Sequence, residues 1–405
     1  MLQFTVICVY QFLIEVNRKF SCFLLDWSTS PIRIMIDFLN SFKSLIKLEQ
    51  IHTDNNVFKL HYKFTVIILI VFSILLTSKQ YFGDPINCDV DYSRKDVIDT
   101  YCWIYGTYII KNTLKEDILT GLGPYADPRS SGPVQDFVLN ERNGIITQKY
   151  YQWVCIVFCF QALLFYIPRY LWKTWEGGRL RLLAKDLGGP LIPSSWNKEN
   201  KERLISYMLS GNYSHNVYAL RFAFCELLNF VNVICQILLM DWFLTGQFTG
   251  YGIAIATYNG INPMTAVFPK LTKCTYYRFG PSGTIENRDA ICVLPLNIVN
   301  EKLFLFLWFW FLFLSVVSLY ELIYRATMLL FPRIRMYLLM AHARFLSRKN
   351  ALVITKRISF GDFFFLYQLG KNLNTLVYKD LLISIASVLM DKTSLPYNPE
   401  ITLPI

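Results

Sequence analysis

Apolar residues along this chain fall into four long blocks separated by mixed, polar stretches. The blocks cover residues 62–78, 150–170, 217–243 and 302–324. A membrane-crossing helix needs about 20 mostly apolar residues, so each block is a candidate span. Runs such as VIILIVFSILLT and LFLFLWFWFLFLSVVSLY carry no charge and are too long for a buried strand. In lipid the backbone must satisfy its own hydrogen bonds, which leaves the helix as the form these blocks take. The pattern predicts an all-α polytopic membrane protein with a four-transmembrane-helix bundle. Between and around the spans lie an extension at 1–34, a segment at 35–61, loops at 79–149, 171–216 and 244–301, and a tail at 325–405.

Two blocks contain informative exceptions. Pro168 lies near the end of the second, where it would kink or end the helix. The third carries Glu226, Asn229, Asn232 and Gln236. At 100° per residue these fall within an arc of about 120°, forming one polar stripe. A carboxylate is costly in lipid and faces water or protein. The stripe therefore reads either as a face toward a water-filled pore or as interhelix hydrogen bonding within the subunit.

Composition fits this picture. Only 17% of residues are charged and 54% are hydrophobic, against about a quarter charged in a soluble domain. The net charge of +11 reads as basic residues flanking the spans rather than as a nucleic-acid surface, because no basic stripe interleaved with aromatics occurs outside the apolar blocks. Lys and Arg number 27 in the two terminal regions and the 168–221 region, and 13 in the 79–149 and 244–302 regions. The former regions are then cytoplasmic, with both termini inside.

Of ten cysteines, Cys88 and Cys102 fall in the first outside loop and Cys274 and Cys292 in the second. Four cysteines on the oxidising side predict two disulfides, with three pairings open. Cys155, Cys159, Cys225 and Cys235 sit within spans and read as small hydrophobes. The run Cys274–Phe279 is rich in β formers, and Gly280-Pro281-Ser282-Gly283 follows it as a turn. The 178–216 loop and the 328–380 tail mix Leu, Ile and Tyr with charges at helical spacing, predicting a helical layer under the membrane. Catalytic and cofactor signatures are missing. Neither Gly177-Gly178 nor Gly188-Gly189-Pro190 continues into a P-loop, no zinc motif occurs, and His52, His61, His215 and His342 are scattered. His61 and His215 read as amphipathic anchors at the membrane boundary. Asn212-Tyr213-Ser214 matches a glycosylation sequon on the side where modification is not expected.

Several stretches are more specific. Tyr150-Tyr151-Gln152-Trp153-Val154 opens the second span. Asp54-Asn-Asn-Val-Phe58 precedes the first, and Gln80-Tyr-Phe-Gly-Asp-Pro85 follows it. Asp99-Thr-Tyr-Cys-Trp-Ile-Tyr105, Pro168-Arg-Tyr-Leu-Trp172, Trp175-Glu-Gly-Gly-Arg179, Cys292-Val-Leu-Pro-Leu-Asn-Ile-Val-Asn300 and Tyr367-Gln-Leu-Gly-Lys-Asn372 complete the set. Together they resemble the innexins, the subunits of invertebrate gap-junction channels, and insect innexins in particular, from about Met35 to about Lys379. Connexins share the four-span plan but carry three cysteines per outside loop.

The resemblance implies a plasma-membrane protein of gap junctions. Its subunits, identical or mixed with other innexins, would form a ring of eight around a wide pore. Two rings on adjacent cells would dock through their outside loops, and ions and small metabolites would pass. It also implies the pairs Cys88–Cys292 and Cys102–Cys274, and a segment from Met35 to about Lys47 folding into the pore mouth. No cofactor or metal is implied, and no nucleic acid. The rival function is an adhesive or modulatory subunit that conducts poorly alone and works in mixed rings, a reading favoured by the 34 residues that precede Met35. Their apolar run, Met1–Ile14, lacks the basic start and cleavage site of a signal peptide and is short for a fifth span.

Overall fold

The computed structural model describes residues 51–90, 95–110, 145–185, 187, 196–210, 212–257, 267–343 and 346–391. The extension, the Met35–Lys47 segment and the end of the tail lie outside the described residues.

Four helices are long and apolar enough to cross a membrane: α1 (Asn56–Phe82), α3 (Val154–Glu176), α6 (Asn212–Phe243) and α8 (Pro295–Leu330). All four overrun one or both of the apolar limits read from sequence. The reason is that helical hydrogen bonding does not stop at the lipid boundary when the polar ends have protein to pack against. The second starts later than residue 150, because Tyr150–Gln152 form a 3₁₀ turn. Residues Leu60–Thr65 of α1 form a π-helical segment, and the Thr65 hydroxyl donates to the Leu60 carbonyl at 2.9 Å. The bundle is glued by aromatic rings: Phe158 and Phe165 of α3 meet Phe304 and Phe311 of α8 at 5.5 and 5.7 Å.

Pro168 does not end the second span. The helix runs on to Glu176 and stops at Gly177, whose φ of +61° favours glycine. Pro168 withholds only its own N–H, and the burial of Arg169 and Trp172 beyond it holds the last two turns in place.

At one end of the bundle the two long loops build a single antiparallel sheet, in the order β1-β5-β4-β2-β3. The strands are β1 (Asn87–Asp89), β2 (Thr107–Ile110), β3 (Ile145–Gln148), β4 (Leu271–Phe279) and β5 (Ile285–Val293). A short helix, α2 (Lys95–Tyr105), packs on it. The hairpin of β4 and β5 turns at Gly280–Gly283, with Gly283 at φ +75°. At the other end, α4 (Arg179–Ala184), α5 (Lys198–Ser210), α9 (Pro332–His342), α10 (Arg348–Arg357), α11 (Phe360–Gly370) and α12 (Thr375–Asp391) form a helical layer. Its core is continuous with the lower ends of the spans through Trp172, Phe222, Phe364 and Phe365. A further non-spanning helix, α7 (Phe248–Ala256), leans on α8, where Gly252 faces the Trp308 ring so closely that no Cβ fits.

Candidate docking head and span-coupling cluster

The head is held by covalent and backbone bonds. Cys88 in β1 lies directly opposite Cys292 in β5, and the two form a disulfide. Cys102 in α2 is joined to Cys274 in β4, which clamps the helix onto the sheet. Both bridges cross between the 79–149 and 244–301 loops. The sulfurs of Cys88, Cys102 and Cys292 approach within 4.8 Å of one another, but all three are in disulfides and offer no thiolate to a metal.

Strand alternation decides what the head shows. Cys274, Tyr276, Ala290 and Cys292 point inward and are buried, while Ile291 and Val293 point outward. Toward the tip of the hairpin Tyr277, Phe279 and Ile285 are between 64% and 72% exposed, with Phe279 paired across the strands to Ile285. The hairpin tip thus presents a group of exposed apolar side chains.

The five residues that open the second span join this head to the bundle. Tyr150 packs edge-on against Phe268 at 5.8 Å and against Phe243 at 6.5 Å. Tyr151 is buried, with its ring 4.7 Å from that of Trp103. The Gln152 amide donates to the Trp103 carbonyl. Val154 is buried, whereas Trp153 is exposed on the outer surface of the bundle, where an interfacial tryptophan belongs. Burial of the two rings pushes both phenols up, Tyr151 to about 12, so both stay neutral.

The opposite ends of all four spans meet in a cluster of buried charges. Glu226 of α6 accepts two bonds from Arg325 of α8, at 2.8 and 2.6 Å. The Asn55 amide, just before α1, donates to Glu226 and to Glu321 at 2.7 Å each. Arg325 lies over the rings of Phe222 and Phe364, at 5.2 and 4.9 Å. Beside this group Arg169 of α3 pairs with Asp54 and covers the Tyr62 ring at 4.8 Å. Three carboxylates thus face three cations once the tail adds Lys371. Its ammonium donates to Asn55 at 3.4 Å and sits 4.5 Å from the Tyr367 ring. Burial, helped by the nearby Arg325 charge and opposed by Glu321 and Glu226, pushes Lys371 down to about 8. Next to it Asn372 exchanges two bonds with the His52 backbone, at 2.6 and 2.8 Å. Gly370 lets the Tyr378 ring approach the backbone here, because a Cβ would lie 2.6 Å from that ring.

The third-span stripe begins at this cluster. Glu226, Asn229 and Gln236 are buried against neighbouring helices, Asn232 is half-buried, and Gln236 donates to Asn232 at 3.2 Å. The two histidines expected as boundary anchors are buried instead. His61 bonds Ser318 of α8 at 2.7 Å, and His215 bonds Asp362 of α11 at 2.7 Å while stacking on Phe365. Each ring finds a polar partner inside the protein, so it has no need to reach the headgroups. Of the span cysteines, Cys155 and Cys225 are buried and Cys159 and Cys235 exposed, all as free thiols.

Sequence reasoning assigned no role to Asp54, Asn55, Arg169, Glu321, Arg325 or Lys371. One signal was present: Glu321 and Arg325 stand four residues apart at the end of an otherwise apolar span, the spacing of a helical ion pair. The others lay inside stretches already singled out for resemblance: 54–58, 168–172 and 367–372. The structure shows why those words are distinctive, since they meet in one place.

Comparison with known proteins agrees with this architecture. Residues 54–389 match the innexin family. The chain is 48% identical over 364 residues to Innexin inx2 of Schistocerca americana, covering 88% of this chain and 99% of that protein. It is 45% identical over 359 residues to Innexin inx2 of Drosophila melanogaster, covering 86% and 94%. With Innexin shaking-B of the same species identity is 40% over 363 residues, covering 87% and 95%. With its four spans, its bridged head and this similarity along nearly its whole length, the chain belongs to the innexin family of gap-junction channel subunits.

Proposed function

We propose that this innexin forms a ring of eight subunits, alone or with other innexins, and that the ring docks to a second ring on the adjacent cell through the β4–β5 tips. Both termini and the helical layer lie in the cytoplasm, as the excess of Lys and Arg on those segments favours. Ions and small metabolites pass through the shared pore, and the chain carries out no covalent chemistry. The third-span stripe acts in packing, and the cluster around Glu226 and Arg325 couples the spans to the cytoplasmic layer.

The observation that carries docking is the bridged sheet itself. Two disulfides between separate loops hold an apolar hairpin tip rigid at one end of the spans, which lowers the ordering cost of binding a partner. Junctional conductance by dual voltage clamp in paired cells tests the reading. Current is expected from the full chain, and from a form starting at Met35. Tyr277→Ser with Phe279→Ser should abolish it while surface delivery persists. Absence of current from both forms, with both at the surface, would sink the homomeric channel and favour a modulatory subunit of mixed rings.

A further inference from the structure

From Ala326 to Gly361 the chain holds seven Lys or Arg and no Asp or Glu. The first part of this stretch is the corner where α8 ends and α9 begins. Phe331 is extended, at φ −110° and ψ 102°, and Pro332 opens α9. The new helix buries Met336 and Leu339 against the layer and turns Arg333 and Tyr337, four residues apart, outward. Leu329, Leu330, Phe331 and Tyr337 are between 52% and 65% exposed. Large apolar side chains grouped this way directly after a membrane span continue the span's outer surface to the level of the headgroups.

Among the described residues, Arg333 and Arg335 at this corner have no carboxylate partner. Arg333 is exposed and meets no carboxylate among the described residues. Arg335 lies 5.9 Å over the Phe363 ring, and its buried Nε has no hydrogen bond. Burial without a carboxylate pushes the Arg335 guanidinium down from its ordinary range. A guanidinium in apolar surroundings gains most from a phosphate, which matches its planar fork.

We propose that the corner between α8 and α9 binds an anionic phospholipid of the leaflet in which the fourth span ends. Leu329, Leu330 and Phe331 enter the boundary between headgroups and acyl chains, and Arg333 and Arg335 hold the phosphate and its extra negative charge. The proposal rests on α8 being a span, and not on which side is cytoplasmic.

Photo-crosslinking of the full chain in nanodiscs of phosphatidylcholine and phosphatidylserine tests it, with p-benzoylphenylalanine in place of Tyr337 or, as a control, Met390 at the far end of α12. Position 337 is expected to capture phospholipid, enriched in phosphatidylserine, and position 390 to capture none. Symmetric nanodiscs keep the result independent of topology. Each basic residue near an anionic surface contributes about fivefold, so Arg333→Gln should lower the serine-to-choline capture ratio by about that factor. Arg333 is exposed, so this variant keeps the fold, and Arg335→Gln should act in the same direction. Capture of a second subunit as the main product at 337 would overturn the proposal in favour of a contact between copies. Equal capture ratios in wild type and Arg333→Gln, or no more lipid at 337 than at 390, would also overturn it.

Discussion

The two ends of the bundle are held together by different physics. At the head, short strands and a helix from two loops are tied by disulfides and ladder hydrogen bonds. At the other end, residues before the first span, in the other three spans and in the tail are tied by buried ion pairs, amide bonds and aromatic faces. A disulfide acts largely on the unfolded chain and does not depend on local charge balance. A buried charge cluster is stable only while every charge has its partner. The head is therefore suited to rigidity, and the cluster to responding when one partner is changed.

The largest effects should come from unbalancing the cluster. Glu226→Ala leaves buried Arg325 with only the longer Glu321 contact at 3.5 Å, and breaking a buried pair this way costs up to about 3–5 kcal/mol. Thermal unfolding of the detergent-purified protein should fall steeply, and Glu226→Leu combined with Arg325→Met should recover much of the loss. If the double variant is as unstable as the single one, packing and not charge balance holds this end together. The head comes next. Replacing Cys102 and Cys274 together by Ser should cost about 2–5 kcal/mol and remove junctional current, and a reductant should mimic it on the wild type. The cluster variants should show no added sensitivity to reductant, and shared sensitivity would mean that the two ends are not held independently.

A smaller effect is expected at Gly370. Gly370→Ala presses a methyl group into the Tyr378 ring, and overpacking of this kind costs about 1–3 kcal/mol. Limited proteolysis should then release the tail, α11 and α12, ahead of the head. The smallest effect is the titration of Lys371. Its folded value of about 8 is below the unfolded value of 10.5. Between these pH values the unfolded state holds a proton that the folded state has lost, so stability rises as pH increases from 8 toward 10.5. Lys371→Met should flatten that slope in thermal unfolding measured from pH 7.5 to 10, while an unchanged slope would assign it to another group.

Much of this was legible in the residues. The four apolar blocks, the β-rich run at Cys274–Phe279 with its glycine turn, and the helical layer follow from period and length. The disulfide pairing did not follow from the residues themselves, which left three pairings open. It came from resemblance, and the geometry of the sheet, with Cys88 opposite Cys292, supplies its physical basis. The two histidines misled because local rules describe a residue's own preference, whereas the partners Ser318 and Asp362 are supplied by segments far along the chain.

Sequence alone determined that the chain crosses a membrane four times, because apolar length is a local property that lipid reads directly. It also determined family membership, because the distinctive stretches are continuous words. Only the tertiary structure decided what those words do. Asp54–Phe58, Arg169 and Lys371 carry no shared signal in one dimension, since their meaning is mutual charge compensation across separations of more than a hundred residues. Such compensation exists only once the helices have packed and water has been removed from between them.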